Sequence, residues 1–176
     1  DYPDDAYEGS LLALEETVTS ARRGKLMNII GIDANAVIGK REATDHAHII
    51  GDFGHFRRNP RGHAFVAWLH GPRLAVTGTL IQKPWDCAWS HKLWSTGSKR
   101  ESDYILVDEI HSNTVEDVGT IDIFLGKSDH RGVLVKHRLG EYSSVIYTRK
   151  RIQIGWAPRL DVNRIPSEYH NASDSV

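Results

Sequence analysis

An apolar run that ends abruptly at two polar residues is the feature that most constrains this chain. Residues 26–32 are apolar except for one asparagine, and Asp33 and Asn35 follow directly. A short apolar run of this kind predicts a buried β-strand. Asp33 and Asn35 lie two residues apart just past the strand, so their side chains would point to the same side of the chain. Such a pair can orient a water molecule and hold an anion, although Asp and Asn also favour ordinary turns.

An amphipathic helix is predicted before this strand, because apolar residues recur at helical spacing. These residues are Tyr7, Leu11, Leu14 and Val18. Asp5 is the predicted N-cap and Gly24 the predicted C-cap. After the strand, residues 39–58 show no period and predict a long loop, which in a compact domain is usually functional or disordered.

A second helix is predicted after Asn59, a capping residue, and Pro60, which suits a first helical position. Gly71 and Pro72 would end it. Short strands are then predicted at 74–76, 92–95, 104–107, 121–124, 133–137 and 143–148, with a loose polar tail from Pro158. Helices followed by many short strands predict an α+β fold with layered sheets.

Composition narrows the class of protein. Of 176 residues, 40% are hydrophobic and 26% charged, which is typical of a globular domain and not of a disordered chain. The net charge of −1 means that any nucleic-acid binding must depend on local basic patches. The single cysteine, Cys87, allows no internal disulfide, and no apolar run is long enough to span a membrane. An intracellular protein of the nucleus or cytoplasm, without a membrane partner, is expected.

Two further polar segments stand beside predicted strands. Asp103 comes directly before the apolar residues 104–107, and Trp94 and Ser95 lie upstream of it. Asp129 and His130 are adjacent and precede the strand at 133–137. A neighbouring Asp and His can supply a metal ligand beside an acid or base. Taken alone, each segment is better explained without a site: Asp103 as a solvated or N-terminal strand residue, and Asp129 and His130 as part of a polar loop.

Taken in order, these segments resemble the endonuclease/exonuclease/phosphatase superfamily, and within it the apurinic-type endonuclease domain of non-LTR retrotransposons. That family has a Gly-Asp-x-Asn-Ala segment after a strand, then Trp-x-Ser, then Arg-x-Asp-Tyr-Ile-Leu, and finally Ser-Asp-His before a last strand. This chain has similar residues at 31–36, 94–95, 102–106 and 128–130, and the resemblance covers 5–139. One departure is Ile32, which separates Gly31 from Asp33.

The resemblance implies a fold and a domain organisation. The fold would be part of a four-layered α/β sandwich, with two packed sheets and outer helices, whose N-terminal half is missing. Residues 1–139 would be the C-terminal part of the domain. Residues 140–176 would supply a final strand and a linker or tail.

The resemblance also implies roles for individual residues. Asp33 would orient the attacking water or take its proton, Asn35 would hydrogen-bond the scissile phosphate, and Asp103 would orient His130. His130 would contact the phosphate, and Asp129 would assist in binding Mg²⁺ or Mn²⁺. Two residues would bind nucleic acid: Asn59, which is equally well explained as a helix cap, and Trp94, which is equally well explained as a core residue.

The function implied is metal-dependent phosphodiester hydrolysis of DNA by an endonuclease of a retrotransposon-like polyprotein. Its partners would be DNA, the missing N-terminal half of the domain and a downstream reverse transcriptase. The isolated chain is expected to be inactive, because the family's main metal-binding Glu belongs to that missing half. Two alternatives stay open: a non-catalytic relic or partner-binding fragment, and a phosphatase acting on a small or lipid phosphoester.

Overall fold

A computed structural model describes residues 4–23, 27–122 and 128–138. Two long helices and several short antiparallel strands make up the described part of the chain. In order these are α1 (Asp4–Arg23), β1 (Ile29–Asp33), α2 (Pro60–His70), β2 (Leu74–Val76), α3 (Thr77–Leu80), β3 (His91–Lys92), β4 (Lys99–Arg100), β5 (Asp103–Asp108), β6 (Val115–Ile121) and β7 (Gly132–His137). Short 3-10 turns occur at Trp85–Cys87 and Glu109–Thr114. Gly24, the predicted strand at 143–148 and the tail lie outside the described residues.

The central sheet is antiparallel and has the strand order β1-β5-β2. One of its faces packs with α1 and α2 into the main core, where Leu106 of β5, Leu74 of β2 and Phe65 of α2 are fully buried. Leu11 and Val18 of α1 belong to the same core, so the predicted apolar side of this helix is confirmed. Burial of each such side chain contributes about 1.5–3 kcal/mol to folding.

A second sheet, formed by β6 and β7, contacts β5. Ile105 of β5, Val118 of β6 and Val133 of β7 line a small cavity. Helices and antiparallel sheets therefore coexist in one layered unit, and the predicted α+β class is confirmed. None of the described helices is long and apolar enough to cross a membrane.

The first strand was predicted to be buried, and this prediction is wrong. Among the described residues β1 pairs only with β5, so it lies at an edge of the sheet. Its residues alternate between exposed and partly buried, and Ile29 is 48% exposed. A continuous apolar run is typical of a strand that is covered on both faces, but only one face of β1 is covered. Five residues are too few for the sequence to distinguish these two cases.

Other boundaries also differ from the predictions. The strand expected at 92–95 is only His91–Lys92, because the chain turns at Trp94. The strand expected at 121–124 overlaps β6 (Val115–Ile121) only at Ile121, and its residues 123–124 lie outside the described residues. The strand Lys99–Arg100 was not predicted, since two basic residues carry no strand pattern of their own. Asp5 lies inside the first turn of α1 and not before it.

The start of α2 and the long loop before it are fixed by side chains. The Asn59 carboxamide oxygen accepts hydrogen bonds from the backbone N–H groups of Gly62 (2.7 Å) and Val37 (3.1 Å), which confirms the predicted cap. The buried guanidinium of Arg58 pairs with Asp45 and donates to the carbonyl of Ile38. The loop at 39–58 is therefore irregular but closely tied to the core.

Candidate functional site

Two carboxylates face each other across neighbouring strands at one edge of the central sheet. Because β1 and β5 are antiparallel, the last residue of β1 meets the first residue of β5, and Asp33 is the register partner of Asp103. Like charges placed directly opposite on paired strands destabilise a sheet. A nearby cation, either a side chain or an ion, would offset this repulsion.

His130 supplies one compensating group for Asp103. Its ring Nδ1 lies 3.1 Å from each carboxylate oxygen of Asp103. An ionised carboxylate only accepts, so Nδ1 carries the proton and donates it, which leaves Nε2 free for another partner. The Asp103 side chain is 17% exposed and that of His130 is 33% exposed, so the pair is partly shielded but reachable. The predicted proximity of Asp103 and His130 is confirmed.

A loop residue that the sequence did not indicate holds this arrangement together. The hydroxyl of Ser90 accepts hydrogen bonds from the backbone N–H groups of Ser102 (3.1 Å) and Asp103 (3.0 Å). The carbonyl of Ser90 accepts from the backbone N–H of Arg131 at 2.7 Å. Ser90 is completely buried. It thus fixes the start of β5 against the segment that carries His130.

The turn after β1 places Asp33 and Asn35. The backbone N–H of Asn35 donates to Asp33 Oδ1 at 3.0 Å, and Asn35 has φ +47°, a left-handed conformation that Asn tolerates better than most residues. The backbone N–H of Ala34 donates to the carbonyl of Ser102, which ties the turn to the start of β5. Asn35 is exposed beside Asp33, in a position to meet a ligand.

Tyr7 supports the same turn from α1. Its hydroxyl donates to the carbonyl of Ala34 at 3.0 Å. Burial raises the pKa of Tyr7 to about 12, Arg61 lowers it and the nearby Asp33 raises it. The phenol therefore stays protonated at neutral pH and acts as a hydrogen-bond donor. Tyr7 was predicted only as part of the apolar side of α1, because helical spacing says nothing about a hydroxyl at the end of the ring.

Asp129 and His91 form a second group of side chains around His130. Asp129 Oδ2 is 3.5 Å from His91 Nε2, and the rings of His91 and His130 are stacked with centroids 4.5 Å apart. His91 has no place in the sequence prediction. A backbone bridge pairs His91 with His130, which lies 39 positions further along the chain, and this bridge places His91 in the site.

Two groups of side chains among the described residues could hold a metal ion, and His130 belongs to both. One consists of Asp33, Asp103 and His130, and the other of His91, Asp129 and His130. Within each group the potential ligand atoms lie within 4.8 Å of one another. Imidazole nitrogen and carboxylate oxygen are both common ligands of divalent cations.

Comparison with known proteins gives a structural likeness. No protein-family model and no curated protein sequence matches the chain. Among solved structures, the chain is similar to the "Endonuclease domain of TRAS1, a telomere-specific non-LTR retrotransposon", with a TM-score of 0.45 and 18% identity. The similarity covers 73% of this chain and 52% of that one, so the chain spans about half the length of that domain. At this similarity the roles of individual residues have to be inferred from their own contacts.

The two residues predicted to bind nucleic acid differ in their surroundings. Trp94 is 64% exposed in the turn between β3 and β4, so the alternative of a core tryptophan is wrong. Asn59 is partly buried and its carboxamide oxygen is occupied by the backbone of α2 and of the preceding loop. The hydrogen bonds of Asn59 explain its presence without any ligand, whereas the exposed ring of Trp94 is accessible to one.

Proposed function

We propose that this chain carries part of a divalent-metal-dependent phosphodiesterase site that acts on DNA. The observation that carries the proposal is the facing pair of Asp33 and Asp103 with His130 hydrogen-bonded to Asp103. Two carboxylates placed opposite each other lower the stability of a sheet, and residues that break a local stability rule in this way are typical of functional sites. In a phosphodiesterase site the two negative charges would have partners, because one carboxylate can orient a water molecule while a cation offsets the charge of the carboxylates and of the phosphate.

In the proposed mechanism, Asp33 orients the attacking water and accepts its proton, as an exposed carboxylate at the sheet edge can do. Asp103 holds the His130 ring, which in the doubly protonated form donates from Nε2 to the phosphate and stabilises its developing negative charge. Asn35 donates to a phosphate oxygen from the turn beside Asp33. As the water oxygen bonds to phosphorus, the bond to the leaving oxygen breaks, and this oxygen keeps the bonding electron pair and takes a proton from solvent.

The metal would be held by carboxylates of this site, with Asp129 as the ligand implied by the family resemblance. Mg²⁺ and Mn²⁺ accept carboxylate oxygens together with phosphate oxygens. A bound ion would neutralise phosphate charge and polarise the scissile bond.

DNA is favoured over a small phosphoester by a local basic surface beside the site. The β3–β4 hairpin contributes Lys92, Lys99 and Arg100, and Trp94 is exposed in its connecting turn. Two cations contact the Trp89 ring: Lys99 Nζ lies 4.5 Å and Arg131 Cζ 4.3 Å from its centroid. Cations contact the DNA backbone and an exposed aromatic ring can stack on bases or wedge between them.

An activated diester tests the proposal, because a nitrophenolate leaving group needs less catalysis than a DNA sugar. We expect slow hydrolysis of bis(p-nitrophenyl) phosphate by the chain in Mn²⁺, reduced at least tenfold in Asp33→Asn and His130→Ala. The matched control is His48→Ala, an exposed histidine outside both candidate metal groups. Turnover equal to that of buffer, or a preference for the monoester p-nitrophenyl phosphate, would contradict the proposal and favour the relic or the phosphatase alternative respectively.

A further inference from the structure

A cluster of three metal-binding side chains lies beside the Asp33–Asp103 pair and includes a histidine to which no role has been assigned. His91 Nε2 lies 3.5 Å from Asp129 Oδ2, and the His91 ring stacks on that of His130 at 4.5 Å with an angle of 24°. The potential ligand atoms of His91, Asp129 and His130 are all within 4.8 Å of one another. We propose that these three residues form a site for a transition-metal ion, with Zn²⁺ as the probe.

The hydrogen bond from His130 to Asp103 prepares His130 for this role. Since Nδ1 donates to the carboxylate, the Nε2 lone pair remains available for an ion. A histidine that binds a metal nearly always donates its other ring N–H to a carboxylate or carbonyl, and this partner fixes the tautomer and the ring orientation. Asp103 is such a partner for His130.

The backbone holds the ligand residues in register. The N–H of Lys92 donates to the carbonyl of Asp129 at 2.8 Å, and the N–H of Arg131 donates to the carbonyl of Ser90 at 2.7 Å. His91 and His130 are thereby partners in an antiparallel bridge. A site whose ligands lie on paired segments is preorganised, so ion binding has little backbone entropy to overcome.

The side chains are open enough to admit an ion. The His91 side chain is 16% exposed, that of Asp129 41% and that of His130 33%. Metal–nitrogen bonds of about 2.0–2.1 Å require the three side chains to draw together by small rotations. Partly exposed side chains can make these rotations without disturbing the core.

The chemistry of the ligands selects the class of ion. Two imidazoles and one carboxylate suit Zn²⁺, Co²⁺, Ni²⁺ and Mn²⁺, whereas Mg²⁺ prefers an all-oxygen shell. Affinity among these ions should follow the usual order for divalent first-row metals, so Zn²⁺ binds more tightly than Mn²⁺. The inference goes beyond the proposed function, because ion binding can be measured without DNA or catalysis.

Calorimetric titration of the untagged chain with Zn²⁺, Mn²⁺ and Mg²⁺ tests the site. We expect one Zn²⁺ per chain at this site, Mn²⁺ binding more weakly, and Mg²⁺ at least 100-fold more weakly than Zn²⁺. His91→Ala and Asp129→Asn should each weaken Zn²⁺ binding at least tenfold. The control His48→Ala removes an exposed histidine of another loop and should change the affinity less than twofold.

A fourth variant distinguishes the two groups that share His130. If Asp33→Asn weakens Zn²⁺ binding tenfold and His91→Ala does not, the ion binds to Asp33, Asp103 and His130, and the proposal is wrong. Unchanged Zn²⁺ affinity in both His91→Ala and Asp129→Asn would also overturn it. Circular dichroism checks that each variant is folded. If His91→Ala is unfolded, the Zn²⁺ affinity of Asp129→Asn, at a more exposed position, tests the site instead. Failure of diester hydrolysis with intact Zn²⁺ binding would affect only the proposed function.

Discussion

His130 donates a hydrogen bond from Nδ1 to the carboxylate of Asp103, with both oxygens at 3.1 Å. The two residues lie 27 positions apart, one at the start of β5 and the other just before β7. Their contact joins the central sheet to the segment that leads into the second sheet. It also determines which nitrogen of His130 is presented to a ligand, and on this the proposed chemistry depends.

Substitution of Asp103 by Asn should release the ring of His130. In the unaltered chain, long-range ¹H–¹⁵N spectra should show His130 in the Nδ1–H tautomer, because the carboxylate accepts from that nitrogen. In Asp103→Asn we expect the Nε2–H tautomer to become populated, while the signals of His48 stay unchanged. A His130 tautomer that is the same in both proteins would show that Asp103 does not orient the ring.

Substitution of Ser90 by Ala should destabilise the fold. The Ser90 hydroxyl accepts from two backbone N–H groups in a fully buried position, and its loss leaves both without a partner. We expect the free energy of unfolding to fall by about 1–3 kcal/mol, measured by urea denaturation. Ser98→Ala, at an exposed position in the β3–β4 turn, should change it by less than about 0.5 kcal/mol. Equal stability of the two variants would contradict the role of Ser90.

Much of the local structure was predictable from sequence, because its causes are local. Asn59 and Pro60 mark the start of α2, and an apolar triplet marks β2. The meeting of Asp33 and Asp103 was anticipated only through the family resemblance, since 70 residues separate them. Ser90 and His91 escaped prediction because their partners are backbone groups and rings of distant segments. The exposure of β1 was not predicted, because the position of a strand within a sheet depends on tertiary structure.

The buried pair of Glu101 and Lys83 should make stability depend on pH. Burial raises the pKa of Glu101 to about 6 from 4.5, although Lys83 at 3.4 Å lowers it. The folded protein therefore keeps a proton that the unfolded chain loses in this interval, and stability falls as the pH rises from about 4.5 through 6. The difference between the pKa values of Glu101 in the folded and unfolded states corresponds to a loss of about 2 kcal/mol in unfolding free energy.

Glu101→Gln should remove this dependence. The difference in unfolding free energy between this variant and the unaltered chain should shift by about 2 kcal/mol in favour of the variant between pH 4 and pH 7. Denaturant curves at several pH values measure it. A difference that stays constant over this range would mean that Glu101 titrates normally.

Trp94 should contribute to DNA binding but not to folding. Its ring is 64% exposed, so Trp94→Ala should leave the melting temperature nearly unchanged. Loss of one stacking contact of about 1–3 kcal/mol should weaken binding of a fluorescent duplex at least fivefold, measured by anisotropy at fixed salt. Ile110→Ala, which removes a more exposed apolar side chain (77%), is the matched control and should bind as before. Equal affinity of the two variants would argue against a role of the β3–β4 turn in binding.

The chain alone should not nick supercoiled plasmid at an enzymatic rate in Mg²⁺ or Mn²⁺. Asp103 already accepts a hydrogen bond from His130, and Asp33 and Asp129 belong to different groups of potential ligands. A Mg²⁺ site needs one or two well-placed carboxylates around a single ion, together with phosphate oxygens. Robust nicking that disappears in His130→Ala would reveal a complete site within these residues.

The junction around Ser90 has a consequence for how this sequence can evolve. Its hydrogen bonds run from one hydroxyl and one carbonyl to backbone N–H groups, which every residue except proline possesses. Neighbouring positions can therefore change identity while the geometry of the junction persists. Divergent descendants of this gene would keep a small hydroxyl residue at position 90 while the neighbouring residues change. A single retained residue of this kind does not form a recognisable sequence motif.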